Sequence, residues 1–85
     1  MTNINVVFKG GNGKLTAKLD RNGALIDQGS IDKSGTISLQ DAISGDSIGI
    51  DGECSGTADV NISVTTNPTT PQQYLQGEIH DGFDV

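Results

Sequence analysis

Tryptophan is absent from this 85-residue chain, and Phe8, Tyr74 and Phe83 are its only aromatic residues. A glycan surface built from several exposed aromatic platforms is therefore disfavoured. The core has to be made of Ile, Val, Leu and Ala. Cysteine occurs once, at Cys54, so no intrachain disulfide is possible. Flanked by Glu53 and Ser55, it reads as an idle thiol in a turn, without a cation to favour its thiolate. Histidine also occurs once, at His80. One imidazole and one thiol do not make a zinc site. No nucleophile motif surrounds Ser47 or Ser55, so His80 reads as a solvated tail residue rather than the base of a hydrolase.

Basic side chains are scarce too, five against eleven acidic ones, for a net charge of −6. Such a surface aids solubility and repels phosphate backbones, so nucleic acid is not an expected partner. No apolar run approaches the length of a bilayer, so membrane insertion is not expected either. Met1 leads directly into Asn3-Ile4-Asn5-Val6 without a basic start or an apolar stretch typical of a signal peptide. The corresponding expectation is a cytoplasmic protein, or one exported without a cleaved signal.

Glycine, by contrast, is abundant, with 12 residues. Most sit in short polar clusters: Gly10-Gly11-Asn12-Gly13, Arg21-Asn22-Gly23, Lys33-Ser34-Gly35, Ser44-Gly45-Asp46, Asp51-Gly52 and Ser55-Gly56. Gly, Asn and Asp supply the backbone conformations that tight turns demand. Between the clusters, apolar and polar residues alternate with the period of a half-buried strand. The predicted strands are Asn3–Lys9, Lys14–Asp20, Ala24–Ile31 with a bulge or bend near Gly29, Thr36–Gln40, Ser47–Asp51 and Thr57–Thr65. Ile4, Val6, Phe8, Leu15, Ala17, Leu19, Ile37, Leu39, Ile48, Ile50, Ala58, Val60, Ile62 and Val64 point inward in this register. Asn22-Gly23 marks a hairpin. No segment repeats apolar residues at helical spacing. The expected fold is all-β, a small antiparallel β-sandwich of six to eight short strands, immunoglobulin-like or transthyretin-like, without a helix.

Composition shifts after residue 65. Residues 66–73 hold both prolines, Pro68 and Pro71, and read as an extended linker or a long edge loop. Residues 74–85 follow, as one more strand or as an arm that docks on a partner. The chain thus divides into a sandwich at 1–65, a Pro/Thr linker at 66–73 and a C-terminal segment at 74–85. If that segment docks, Tyr74, Leu75, Ile79, Phe83 and Val85 are its partner-binding residues, through strand addition to the edge of another chain or of a second copy. Thr57–Thr65 is the candidate edge within the chain itself.

The stretch Ile31-Asp32-Lys33-Ser34-Gly35-Thr36-Ile37-Ser38-Leu39 and then Gly45-Asp46-Ser47-Ile48-Gly49-Ile50-Asp51-Gly52 resembles the carboxypeptidase regulatory-like domains. Their pattern is an Asp-x-x-Gly turn, an apolar-polar strand, a Gly-Asp loop and a strand closing on Gly. Asp20-Arg21-Asn22-Gly23-Ala24 is similar to the family's earlier turn. The resemblance covers residues 15–64, and Ile37 stands where the family usually has an aromatic. It implies a transthyretin-like sandwich acting as a non-catalytic accessory or interaction module.

Acidic side chains near turns are the remaining candidates for chemistry. Asp20, Asn22, Asp32, Asp46 and Asp51 are the possible calcium ligands, since calcium takes six to eight oxygens. Asp20-x-Asn22-Gly23 starts like a calcium loop, but Ala24 occupies its fifth position and no Glu closes it. Asp32-x-Ser34-Gly35 fails in the same way. The Gly10–Gly13 loop opens no helix, which weakens a phosphate reading. No cofactor is expected. The leading expectation is a non-enzymatic structural or protein-interaction module, part of a larger assembly. The alternative is a calcium- or carbohydrate-binding sandwich that uses its acidic loops.

Overall fold

Alternation of apolar and polar residues builds the core that the sequence implies. The computed structural model describes residues 1–85 throughout. It has eight strands and no helix: β1 (Thr2–Lys9), β2 (Gly13–Arg21), β3 (Ala24–Ile31), β4 (Gly35–Leu39), β5 (Ser47–Cys54), β6 (Thr57–Asn61), β7 (Gln72–Tyr74) and β8 (Gly77–Asp84). They pair into two four-stranded sheets. Sheet I has the order β4-β1-β6-β7 and sheet II the order β3-β2-β5-β8. Every pairing is antiparallel, which makes the chain a small β-sandwich of 36 × 20 × 19 Å.

Inward residues of the two sheets form one cluster of 15 buried side chains, including Ile4, Val6, Leu15, Leu19, Ile37, Leu39, Ile48, Ile50, Val60 and Ile62. Phe8 and Tyr74 pack against its rim. The outward residues form polar rows. On sheet I, Ser38 Oγ donates to Asn3 Oδ1 at 2.9 Å and Thr36 Oγ1 to Asn5 Oδ1 at 2.8 Å, both between register partners. These cross-strand hydroxyl–amide pairs bind β4 to β1 on the solvent side.

Several predicted boundaries move, each for a local reason. The strand expected over Thr57–Thr65 stops at Asn61. Ile62 N–H donates to Thr70 Oγ1 at 2.7 Å, and the Ile62 carbonyl accepts from Thr65 and Thr70, which curls the chain into a turn. Val64, expected inside, is consequently 37% exposed. β6 is also not an edge, because β7 covers it. β5 runs on to Cys54, so the turn expected over Gly52–Gly56 shrinks and Cys54 is a buried strand residue rather than a turn residue. Its thiol donates to the carbonyls of Gly56 and Leu75. The bulge expected near Gly29 lies instead at Ile26, where the register shifts between Leu19 and Asp20. Gly29 has a different reason to be glycine: a β-carbon there would sit 2.8 Å from Ile37 Cγ2 of the facing sheet.

Of the residues 66–73 expected as linker or edge loop, 66–71 are a loop held to the sandwich and 72–73 begin β7. Thr66 N–H donates to the Asp84 carbonyl at 2.8 Å, and Asp84 N–H donates to the Asn67 carbonyl at 2.9 Å. Both Asn67–Pro68 and Thr70–Pro71 are cis. Gln72–Tyr74 then pairs with β6. Of the two readings of residues 74–85, the strand is the one that forms. β8 lies along the whole of β5, and Ile79 and Phe83 enter the core, Phe83 at 1% exposure.

Sandwich edges are reactive unless they are blunted. Here each side of the sandwich is closed by an aspartate of sheet II. On one side, Asp27 of β3 accepts the N–H of Gln28 at 2.8 Å through one oxygen and the N–H of Gln40, just past β4, at 2.9 Å through the other. On the other side, Asp81 of β8 accepts the N–H of Gly82 at 2.8 Å, while the Tyr74 hydroxyl of β7 donates to its second oxygen at 2.7 Å. Asp84 donates and accepts on the side away from β5, so by the two-residue period Gly82, His80 and Glu78 also turn their backbone groups outward. Asp81 and the residue 66–67 loop therefore cover the upper half of that edge.

Phe83 is the largest side chain in the core and sits on the last strand. Phe83→Ala is expected to destabilise the fold by about 3–5 kcal/mol, read as a fall in the urea midpoint. A midpoint within error of the parent would contradict a core-packed β8.

Candidate functional site

Polar chemistry gathers in three places. The first is one end of the sandwich, where the β2–β3 hairpin meets the loop 40–46. Arg21 closes the hairpin and reaches over this loop. Its Nε donates to Asp46 Oδ1 at 2.8 Å and its Nη2 to Asp46 Oδ2 at 2.9 Å, a two-pronged contact matched to the fork of a guanidinium. Ile43 N–H donates to Oδ2 at 2.9 Å, and Nη2 also reaches the Asp41 carbonyl at 3.3 Å. Asp46 is 2% exposed. The Arg21 contact, then the Ile43 N–H, hold its carboxyl down at about 2. The same loop grips both ends of the chain. Asp41 pairs with the Met1 amine at 2.6 Å, and Thr2 Oγ1 accepts from Ala42 N–H at 2.7 Å. Gly45 N–H donates to the Val85 carbonyl at 2.9 Å, and Val85 N–H to that of Asp46 at 3.0 Å.

The second place is the outer face of sheet II. Register aligns Ser30, Thr16, Asp51 and His80 across β3, β2, β5 and β8. Ser30 and Thr16 share a hydrogen bond of 2.7 Å, and Asp51 Oδ1 pairs with His80 Nδ1. His80, read from the sequence as a solvated tail residue, is exposed but lies on a strand beside a carboxylate partner. The contact with Asp51 raises its pKa above 6.5. Ser30, Thr16 and Asp51 border an open depression of about 540 Å³, but no hydroxyl hydrogen-bonds the imidazole, so the row lacks the nucleophile–base contact that acyl-transfer chemistry requires.

The third place is the opposite end. Asn12, Lys14, Asp32, Glu53, Ser55 and Glu78 line an open depression of about 540 Å³. Lys14, Glu53 and Glu78 belong to one register row, and Lys14 Nζ lies 3.4 Å from Glu53. Asn12 is held against Ser55: Asn12 N–H donates to Ser55 Oγ at 2.8 Å, and Ser55 N–H donates to the Asn12 carbonyl at 2.8 Å.

The five candidate metal ligands are not brought together. Asp20, Asn22 and Asp46 are at the Arg21 end, Asp51 is in mid-strand with His80, and Asp32 is at the far end. Nowhere do three or more His, Cys, Asp or Glu side chains converge. Of the proposed partner-binding residues, Ile79 and Phe83 are core, while Tyr74 and Val85 are half-buried. Leu75, in the two-residue turn between β7 and β8, is 73% exposed. The sequence reading missed Arg21, Asp27 and Asp81. The signals for them were a lone arginine beside a hairpin and single carboxylates interrupting strands.

Comparison with protein-family models, with characterised proteins and with solved structures finds no match for this chain.

Because Asp46 sits below the ordinary carboxylate value of 3.8 when folded, its contribution to stability is present above that value and lost as pH falls toward about 2. Asp46→Asn is expected to lower the neutral-pH urea midpoint and to flatten its fall between those two values. An acid limb identical to the parent's would refute this role. For His80 the direction is reversed: its pairing stabilises below 6.5 and fades as pH rises through its raised folded value. An NMR titration should place the His80 midpoint above 6.5 and return it toward that value in Asp51→Asn.

Proposed function

We propose that this chain is a non-enzymatic structural or protein-interaction module. The observation that carries the reading is how its reactive groups are used. Asp46 and Arg21 fasten a loop, Asp27 and Asp81 fasten the two sides, and the Cys54 thiol is turned into the β7–β8 corner. Asp51 and His80 pair with each other on an exposed face, where Asp51 borders an open depression that His80 does not line. Catalysis needs groups held around a reacting atom and shielded from water, and these groups are engaged in holding the fold. The resemblance of residues 15–64 to carboxypeptidase regulatory-like domains favours the same accessory role.

The contact surface of the proposal is the β7–β8 corner. Leu75 is the one proposed partner-binding residue that projects well into solvent, and an isolated apolar side chain at a corner makes an anchor for a protein partner or a second copy. A second reading, a module for a small polar ligand such as a carbohydrate, is favoured by the depression at the same end, whose carboxylates, amide, hydroxyl and ammonium suit sugar hydroxyls. Calcium stands behind it, because the candidate carboxylates are spread over both ends and the middle of sheet II.

Leu75→Asp distinguishes the first reading. A surface change of this kind should move stability by no more than about 0.5 kcal/mol, yet abolish any self-association seen by light scattering or any partner retained by the parent in affinity capture. Equal behaviour of parent and variant in both assays counts against the corner. Heat on titration with simple sugars, lost in Glu53→Gln, promotes the second reading.

A further inference from the structure

The chain contains four bonds in which Asn or Asp precedes Gly: Asn12–Gly13, Asn22–Gly23, Asp51–Gly52 and Asp81–Gly82. Glycine has no side chain to shield its amide nitrogen. That nitrogen can attack Cγ of the preceding residue and close a five-membered succinimide. From Asn the C–N bond to the carboxamide nitrogen breaks and ammonia leaves. Water then opens the ring at one of its two carbonyls, giving aspartate or, with the backbone rerouted through the side chain, isoaspartate. No oxidant, metal or enzyme is needed. What differs between sites is whether the fold holds the side chain, the attacking amide or the backbone of the Asn or Asp itself in place.

Three of the four bonds are held. Asn12 is clamped through its backbone by Ser55, which accepts its N–H and donates to its carbonyl from both N–H and Oγ, so the torsions that would bring its carboxamide to the Gly13 amide are fixed where Gly13 enters β2 opposite Cys54. Asp51 is engaged by His80, and Gly52 lies between β2 and β8 within sheet II. The Asp81 carboxylate is occupied by Tyr74 and by the very N–H that would have to attack it. Asn22–Gly23 is different. The pair Arg21–Ala24 closes the hairpin, so both central residues lie outside the ladder. Both are exposed. The Asn22 carboxamide makes no hydrogen bond within the chain, and none of the turn hydrogen bonds uses the Gly23 amide. Their φ angles of 52° and 80° leave them in the left-handed region, and the space around Gly23 is empty.

We infer that Asn22–Gly23 is a spontaneous deamidation site of the folded protein, with water as the only co-reactant. The product places a new carboxylate beside Arg21, at an end that already carries Asp20, Asp41 and Asp84. It thus alters the charge of this pole without touching the core.

The test is incubation of the intact protein in mildly alkaline buffer, followed by peptide mapping with mass spectrometry that separates aspartate from isoaspartate. In the native protein Asn22 should convert about tenfold faster than Asn12, a ratio worth one decade in rate. In urea, where neither site is held, the two rates should converge. Ser55→Ala, which removes the hydroxyl clamp, should raise the native Asn12 rate toward that of Asn22. Native conversion of Asn12 as fast as Asn22, a native Asn22 that is inert while it reacts in urea, or an Asn12 rate unmoved by Ser55→Ala would each overturn the assignment.

Discussion

The structure depends on a carboxylate taken out of water. Burying a charge is costly unless it is paired and fully hydrogen-bonded. Asp46 meets both conditions with three nitrogen donors, two from Arg21 and one from the Ile43 backbone. The arrangement turns a loop that links opposite sheets into a rigid piece. Once that loop is fixed, its backbone receives Val85, its Asp41 receives the Met1 amine, and Ala42 receives Thr2. One ion pair therefore orders the starts of β1 and β5 and the end of β8. A thin core with only three aromatic residues in the chain leaves little reserve, so polar clasps of this kind carry more of the architecture than they would in a larger domain.

The two sides of the sandwich obey the same logic. Asp27 and Asp81 are far apart in sequence and lie on opposite edges of sheet II, yet they do the same work. Each accepts the N–H of the next residue, and each reaches across to sheet I. An edge N–H that would invite a foreign strand is occupied, and the two sheets are tied where their hydrogen-bond ladders end. Burial and Asp81 together push the Tyr74 hydroxyl above its ordinary value, so the proton of that tie stays in place. Solvent-facing pairs such as Lys14–Glu53, 3.4 Å apart, are exposed and contribute little by comparison.

Most of the sandwich was legible because period-two alternation is a physical requirement of a half-buried strand, and glycine-polar clusters are a requirement of its turns. Ile4, Val6, Leu15, Leu19, Ile37, Leu39, Ile48, Ile50, Val60 and Ile62 all face inward as that period dictates. It failed where side chains compete with the ladder. At Ile62, Thr65 and Thr70 capture the backbone and end β6, although the alternation continues to Thr65. β7 was hidden in a proline-bounded stretch because three residues are too few to show a period. The Arg21–Asp46 pair was hidden for another reason: its members are 25 residues apart and meet only when β2 and the loop before β5 come together. Long-range polar contacts leave no local periodicity, whereas their individual residues look like ordinary turn chemistry.

The position of Phe83 also makes closure of the sandwich depend on a single strand. β1 finds its neighbours only in β4 and β6, and β5 is flanked on one side by β8. Pairings between distant segments are slow because chain closure comes before their reward. A nascent chain with residues 1–76 available can lay down seven strands, but its core still lacks Ile79 and Phe83, and the loop at 40–46 still lacks Val85. A chain in that state would expose apolar surface and the open flank of β5 together. One strand thus does two jobs at once, closing the flank of β5 and completing the core.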